Sequence, residues 1–198
     1  MIIFTNNIND EPYKLYREVY KNALIHKQKD IQAVSISSYS SKNKEVDSRF
    51  VNLKEIDGRN FIFYSNYNSP KAIQFYEHPQ ISAIFYWNII NTQIRIKANI
   101  EKLSALKSDI HFKNRSLKKN AIAISSSQSK IIHSYEMVKK NYLKVLNEEN
   151  LIQRPSYWGG FSFIPYYFEF WEGDESRINK RLVYKKIDKK WEKLIIQP

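Results

Sequence analysis

Thr92-Gln-Ile-Arg-Ile-Lys-Ala-Asn-Ile-Glu-Lys-Leu103 alternates without a break: Ile94, Ile96, Ala98 and Ile100 face one side, and Gln93, Arg95, Lys97 and Asn99 face the other. A period of two is the signature of a strand with one buried and one polar face, which antiparallel sheets tolerate and all-parallel sheets rarely do. Upstream, Gln80–Trp87 reads as its neighbour. Farther back, Arg49–Glu55 and Asn60–Ser65 flank Ile56-Asp-Gly-Arg59, and a D-G pair between apolar alternating runs predicts a hairpin. Residues 31–38 are β-prone, with a polar loop expected over Ser40–Asp47. Downstream, the aromatic run Trp158–Glu172 and then Arg181–Ile187 and Trp191–Ile196 are strands. Helices are inserted among them. One opens at Asn9-Asp-Glu-Pro12 and runs to about residue 28, with Leu15, Tyr16, Val19, Tyr20, Ala23 and Leu24 on its apolar stripe. Others start at Ser69-Pro70 and end near His78-Pro79, run from Ser104 to about Arg115, form a short turn near 119–123, and cover 134–147. With no βαβ alternation, the pattern predicts a mainly antiparallel β-barrel or sandwich of the α+β kind with helical insertions. No linker divides residues 1–198, so a single domain is expected, with residues 1–11 as a flexible N-terminal arm.

Composition removes several kinds of chemistry. The 198 residues include four glycines, Gly58, Gly159, Gly160 and Gly173, spaced wrongly for either common glycine-rich phosphate loop. There is no cysteine, which excludes disulfides, thiolate metal sites and cysteine nucleophiles. His26, His78, His111 and His133 stand far apart and form no metal-ligand spacing, so no metal is expected. The longest apolar run, Ala83–Trp87, is five residues, and Met1-Ile-Ile-Phe4 lacks the features of a signal peptide. These features predict a cytoplasmic protein with no membrane partner. The net charge of +12 calls for an anion: nucleic acid, an anionic membrane surface, or small phosphorylated ligands. Lysines spread along the whole chain rather than one basic stripe make nucleic acid the least favoured of these, and composition goes no further.

Three groups of motifs carry a resemblance. They are Arg49-Phe-Val-Asn-Leu-Lys54 with Phe63-Tyr-Ser-Asn66, then Ser127-Gln-Ser129, then Pro155-Ser-Tyr-Trp-Gly-Gly-Phe161 with Glu169-Phe-Trp171 and Arg177-Ile-Asn-Lys-Arg181. In this order and spacing they resemble the pyridoxamine 5′-phosphate oxidase family, from about Pro12 to Pro198. The resemblance implies a split β-barrel homodimer with FMN at the subunit interface. It further implies oxidation of pyridoxamine or pyridoxine 5′-phosphate to pyridoxal 5′-phosphate, with O2 reduced to hydrogen peroxide. Its FMN-contacting positions fall on Arg49 and Lys54 of the first hairpin strand, Tyr64 and Ser65 of its partner, Lys71, Gln93, Gln128, Ser129, Trp171 and Arg181. Its vitamer-phosphate positions fall on Lys54 and Arg115, with Lys119 a further candidate, and Arg177 is the catalytic position over the substrate ring. Two phosphorylated ligands require several cations close together. A flavin that carries the hydride step requires no triad, carboxylate pair or metal.

Taken singly, each residue has a plainer account: Arg49 as a solvent-facing strand residue, Gln93 as a solvated one, Trp171 as packing, Gly159-Gly160 as a bulge. The joint pattern outweighs these. Four positions depart from it. Pro70 stands where the family commonly has Arg, His111 and Lys119 where it has Tyr and Ser, and Asn179 where it typically has His. Lys119, and His111 if protonated, would still serve a phosphate. Asn179 cannot titrate near neutral pH, so FMN binding is expected ahead of vitamer turnover. The alternative is an FMN-binding relative that acts on another reduced ring or mainly carries the flavin.

Overall fold

The computed structural model describes residues 1–198. One ten-stranded sheet and five helices form an α+β fold. The strands are β1 (Ile3–Thr5), β2 (Ala33–Ser40), β3 (Glu45–Asn52), β4 (Glu55–Asp57), β5 (Asn60–Asn66), β6 (Gln80–Trp87), β7 (Thr92–Lys102), β8 (Trp158–Glu172), β9 (Lys180–Ile187) and β10 (Lys190–Ile195). The helices are α1 (Glu11–Ile25), α2 (Pro70–Glu77), α3 (Ala105–Lys113), α4 (Leu117–Ser125) and α5 (Tyr135–Glu148). The spatial order is β1-β4-β5-β8-β7-β6-β2-β3, with β9 on β8 and β10 on β9. Every pairing is antiparallel except β1 with β4.

The alternation of β7 is realised: Ile94, Ile96, Ala98 and Ile100 are all buried. They join an aromatic core in which Tyr16 of α1 meets Phe61, Phe85 and Trp87 edge-on, at centroid distances of 5.3, 5.5 and 5.9 Å. Edge-to-face pairs contribute about 0.5–1.5 kcal/mol each beyond the area they bury, so these contacts anchor α1 on the sheet.

β8 organises the site. Along one edge it pairs with β7 from Phe161 to Glu172. Along the other, Trp158–Phe163 pair with β5 and Tyr167–Glu172 with β9. Pro165 lies where the partner changes, beside a register shift at Lys97/Ala98. A proline has no ladder donor to offer, and a bulge absorbs the mismatch.

Four expectations need correction. Residues 1–11 are not a flexible arm, because β1 lies parallel to β4, Ile2 is buried, and the Ile2 N–H donates to Tyr20 Oη at 2.8 Å. The polar stretch at 40–47 is the end of β2, a tight turn and the start of β3. Arg49 therefore sits on β3 opposite Ile36 of β2, and not on the D-G hairpin. That hairpin is only β4 with β5, turning at Gly58, whose φ of +59° suits glycine. The turn expected near 119–123 is the nine-residue helix α4.

Candidate functional site

A cavity of about 540 Å³ opens between β5, the β3–β4 connection and the helices α2 to α4. Lys54, Lys71, Arg115 and Lys119 all line it. Each arrives from a different element: Lys54 from the connection before β4, Lys71 from the first turn of α2, Arg115 just after α3, Lys119 from α4. None of the four takes part in any ion pair of the protein. Cations gathered in a recess without carboxylates repel one another, and that cost is recovered when an anion enters.

The electrostatics register this crowding. Burial, then the charges of Lys119 and Arg115, hold the Lys54 ammonium below the usual lysine range. Burial, then the charge of Arg49, lowers Lys71 to about 8. Its Nζ donates to Ser69 Oγ at 3.2 Å, and Ser69 Oγ in turn donates to the Asn66 carbonyl at 2.8 Å. The Arg115 guanidinium lies 4.4 Å from the Trp158 ring centroid, and its buried Nη1 has no hydrogen-bond partner. A buried, unpartnered guanidinium nitrogen is the kind of defect that a ligand oxygen repairs.

Aromatic and amide groups complete the cavity. His111 stacks face to face on Tyr64, with centroids 3.5 Å apart and planes 6° apart, and Trp158 lies nearly parallel at 5.5 Å from Tyr64. Burial, then the charges of Arg115 and Lys54, lower the His111 imidazole to about 4. In the empty site it is therefore uncharged at neutral pH. Gln128 reaches across to β5, where Oε1 accepts from Ser65 Oγ and the Asn66 N–H, each at 3.4 Å. Ser129, with φ +66°, lines a neighbouring recess.

Arg49 is already engaged. Nη1 donates to Ser38 Oγ (2.6 Å) and the Ile36 carbonyl (3.2 Å), and Nη2 donates to Asp47 Oδ2 (2.6 Å) and Gln74 Oε1 (3.0 Å). It stands behind Lys71 as a second positive charge.

The remaining expected residues lie elsewhere. Gln93, Trp171 and Arg181 form one row across β7, β8 and β9, in direct register, and none of them lines the cavity. Arg177, also outside it, is exposed on the turn between β8 and β9 with φ +65°. On that turn Asn179 Oδ1 accepts the Asp174 N–H at 3.1 Å, so the amide at the departing position shapes the loop. The residues named from the sequence thus fall into two groups within one chain. Sequence reasoning overlooked the His111–Tyr64 stack and Glu169, which binds Arg181. Glu169 lies inside the quoted Glu169-Phe-Trp171 motif, which was the available signal.

The donor set suits a phosphorylated ligand, and the cavity volume lies in the range of about 300–1,000 Å³ usual for small-molecule pockets. Comparison with known proteins agrees. Residues 23–147 match the family described as pyridoxamine 5′-phosphate oxidase, and residues 158–198 match the pyridoxine 5′-phosphate oxidase C-terminal dimerisation region. The pyridoxine/pyridoxamine 5′-phosphate oxidase of Trichormus variabilis is 34% identical over 93% of this chain and 87% of its own length. The protein of that name from Synechocystis sp. is 31% identical over 96% and 90%. Among solved structures, PhzG from Burkholderia lata 383, in complex with tetrahydrophenazine-1-carboxylic acid, superposes with a TM-score of 0.90. It is 24% identical over 96% of this chain and 93% of its own. A pyridoxamine 5′-phosphate oxidase-related, FMN-binding protein from Nostoc punctiforme superposes at 0.78 with 14% identity, over 92% and 97%. These two likenesses speak to the fold. Sequence identity over nearly the full length, two family regions in order, and a cavity whose cations all come from the first of them agree: the chain belongs to the pyridoxamine 5′-phosphate oxidase family of oxidoreductases.

Proposed function

We propose that the protein is a homodimeric, split-barrel, FMN-dependent oxidase that converts pyridoxamine or pyridoxine 5′-phosphate to pyridoxal 5′-phosphate with O2 as acceptor. The observation that carries this is the set of four carboxylate-free cations around one cavity, with Arg115 Nη1 left unpartnered. The set divides by position. Lys71 at the start of α2, with Arg49 behind it and Ser65 on β5, suits the FMN phosphate, because an ammonium and the positive end of a helix dipole both favour an anion. Lys54, Arg115 and Lys119 suit the phosphate of the vitamer. Tyr64, Gln128 and Ser129 border the flavin from the same subunit, and Gln93, Trp171 and Arg181 of a second copy close the site. Arg177 of that copy covers the substrate ring. FMN held there would supply a two-electron acceptor for the hydride from the substrate C4′ carbon and a route for those electrons to O2, giving hydrogen peroxide; the pyridoxine alcohol also loses its proton, and the imine left from pyridoxamine takes up water and releases ammonia. The chain holds both phosphates and fixes the ring over the flavin.

The test is to load the purified protein with FMN, add each phosphorylated vitamer, and follow pyridoxal phosphate absorbance and peroxide together. Both should rise in equal amounts. A yellow protein that releases neither would overturn the oxidase and favour the second reading, a relative acting on another reduced ring. Asn179 is the observation behind that second reading, since its amide is committed to the turn that carries Arg177.

A further inference from the structure

Beside the row Gln93–Trp171–Arg181 lies a buried carboxylate to which the proposed function gives no role. Glu169 sits toward the C-terminal end of β8, between β7 and β9, with its side chain 2% exposed. Oε1 accepts from Arg181 Nε at 3.0 Å and Arg181 Nη2 at 2.7 Å. Oε2 accepts from Arg95 Nη1 and Tyr167 Oη, both at 2.9 Å. Burial by itself would push this carboxyl up, yet the bonds from Arg181 and Tyr167 and the charge of Arg95 outweigh it and hold it below the usual range. Glu169 is therefore ionised between two guanidinium groups that remain partly exposed, Arg95 at 38% and Arg181 at 24%.

We infer that Glu169 is the positioning residue for Arg181: by holding the Nε edge of the guanidinium, it turns the remaining N–H groups toward the flavin. Arg181 spends Nε and one Nη2 hydrogen on Glu169 and one Nη1 hydrogen on the Gln197 carbonyl at 2.9 Å. One N–H on each terminal nitrogen is left for a ligand. A free arginine side chain must lose considerable rotamer entropy to bind; one fixed in advance does not. Glu169 is also two residues from Trp171 on the same face of β8, so the arginine is fixed relative to the indole that stands opposite it.

This inference rests on the proposed flavin contact of Arg181, and the experiment separates the two. FMN is titrated by flavin fluorescence into the full-length protein and into Glu169→Gln, Arg181→Ala and the double variant. Glu169→Gln should weaken FMN binding about tenfold, the size expected for losing a charge-assisted contact, and Arg181→Ala at least as much. The double variant should match Arg181→Ala alone, and the bound-flavin absorption band should shift in the same direction in both single variants. Multiplying losses in the double variant, or a loss in Arg181→Ala with none in Glu169→Gln, would overturn the positioning role. Unchanged binding in Arg181→Ala would overturn the flavin contact itself and the inference with it. If Glu169→Gln does not fold, the pair Glu169→Leu with Arg95→Leu removes the buried charge together with one of its partners, and the same comparison is made.

Discussion

Lys71 is a residue whose local surroundings produce a measurable pH dependence. Its ammonium is lowered to about 8 in the empty site, first by burial and then by Arg49. An anion binds the charged form, so the lysine titrates higher when FMN is present. Below pH 8 the lysine is already protonated and binding takes up no proton there. Above pH 8 binding must take one up, and FMN affinity should fall by as much as about tenfold per pH unit. Fluorescence titrations across this range should show the decline, and Lys71→Arg should flatten it because arginine stays charged. An equal slope in Lys71→Arg would assign the proton to another group. That Lys71 would stand at a helix start was readable from Ser69-Pro70-Lys71. That it would be buried beside Arg49 was not, because α2 packs on β2 and β3 only after those strands pair.

At the scale of the element, β8 passes between tight neighbours. A Cβ on Gly159 would collide with the Tyr67 phenol and lie 3.0 Å from Ser108 Oγ, and one on Gly160 would lie 2.7 Å from the Leu103 side chain. Gly159→Ala should therefore destabilise the protein by about 1–3 kcal/mol, read as a lower midpoint in urea unfolding. It should also loosen FMN retention, since Trp158 next to it lines the cavity. The strand β7 was recognisable because one face is buried and one is not. The strand β3 was read only from Arg49 onward and given the wrong neighbour, because it is an edge strand, mostly exposed and paired only with β2, so nothing demands apolar alternation of it. The same cause shortened the predicted D-G hairpin: the chain changes neighbour between Asn52 and Glu55, where no turn signal stands.

At the scale of the molecule, the two groups of residues make a test of assembly. If each site draws Lys71 from one subunit and Arg181 from the other, Lys71→Ala and Arg181→Ala should each impair both sites. Unfolding and refolding an equal mixture would restore one intact site in every mixed dimer, about one quarter of all sites by random pairing. FMN bound per subunit and vitamer turnover should both recover to about that level, whereas a site built within one chain would recover nothing. The net charge of +12 is then partly local, concentrated in Lys54, Lys71, Arg115 and Lys119 around one cavity. The sequence by itself determined the strand-and-helix order, the absence of cysteine and glycine-loop chemistry, and the motifs that mark the family, because periodicity, composition and spacing are properties of the chain read in order. Only the tertiary structure decided that four cations from four elements share one recess without carboxylates, that His111 is a neutral stacking partner, and that Glu169 grips Arg181. Those outcomes depend on burial and on distances between residues far apart in the chain, which exist only once the sheet has formed.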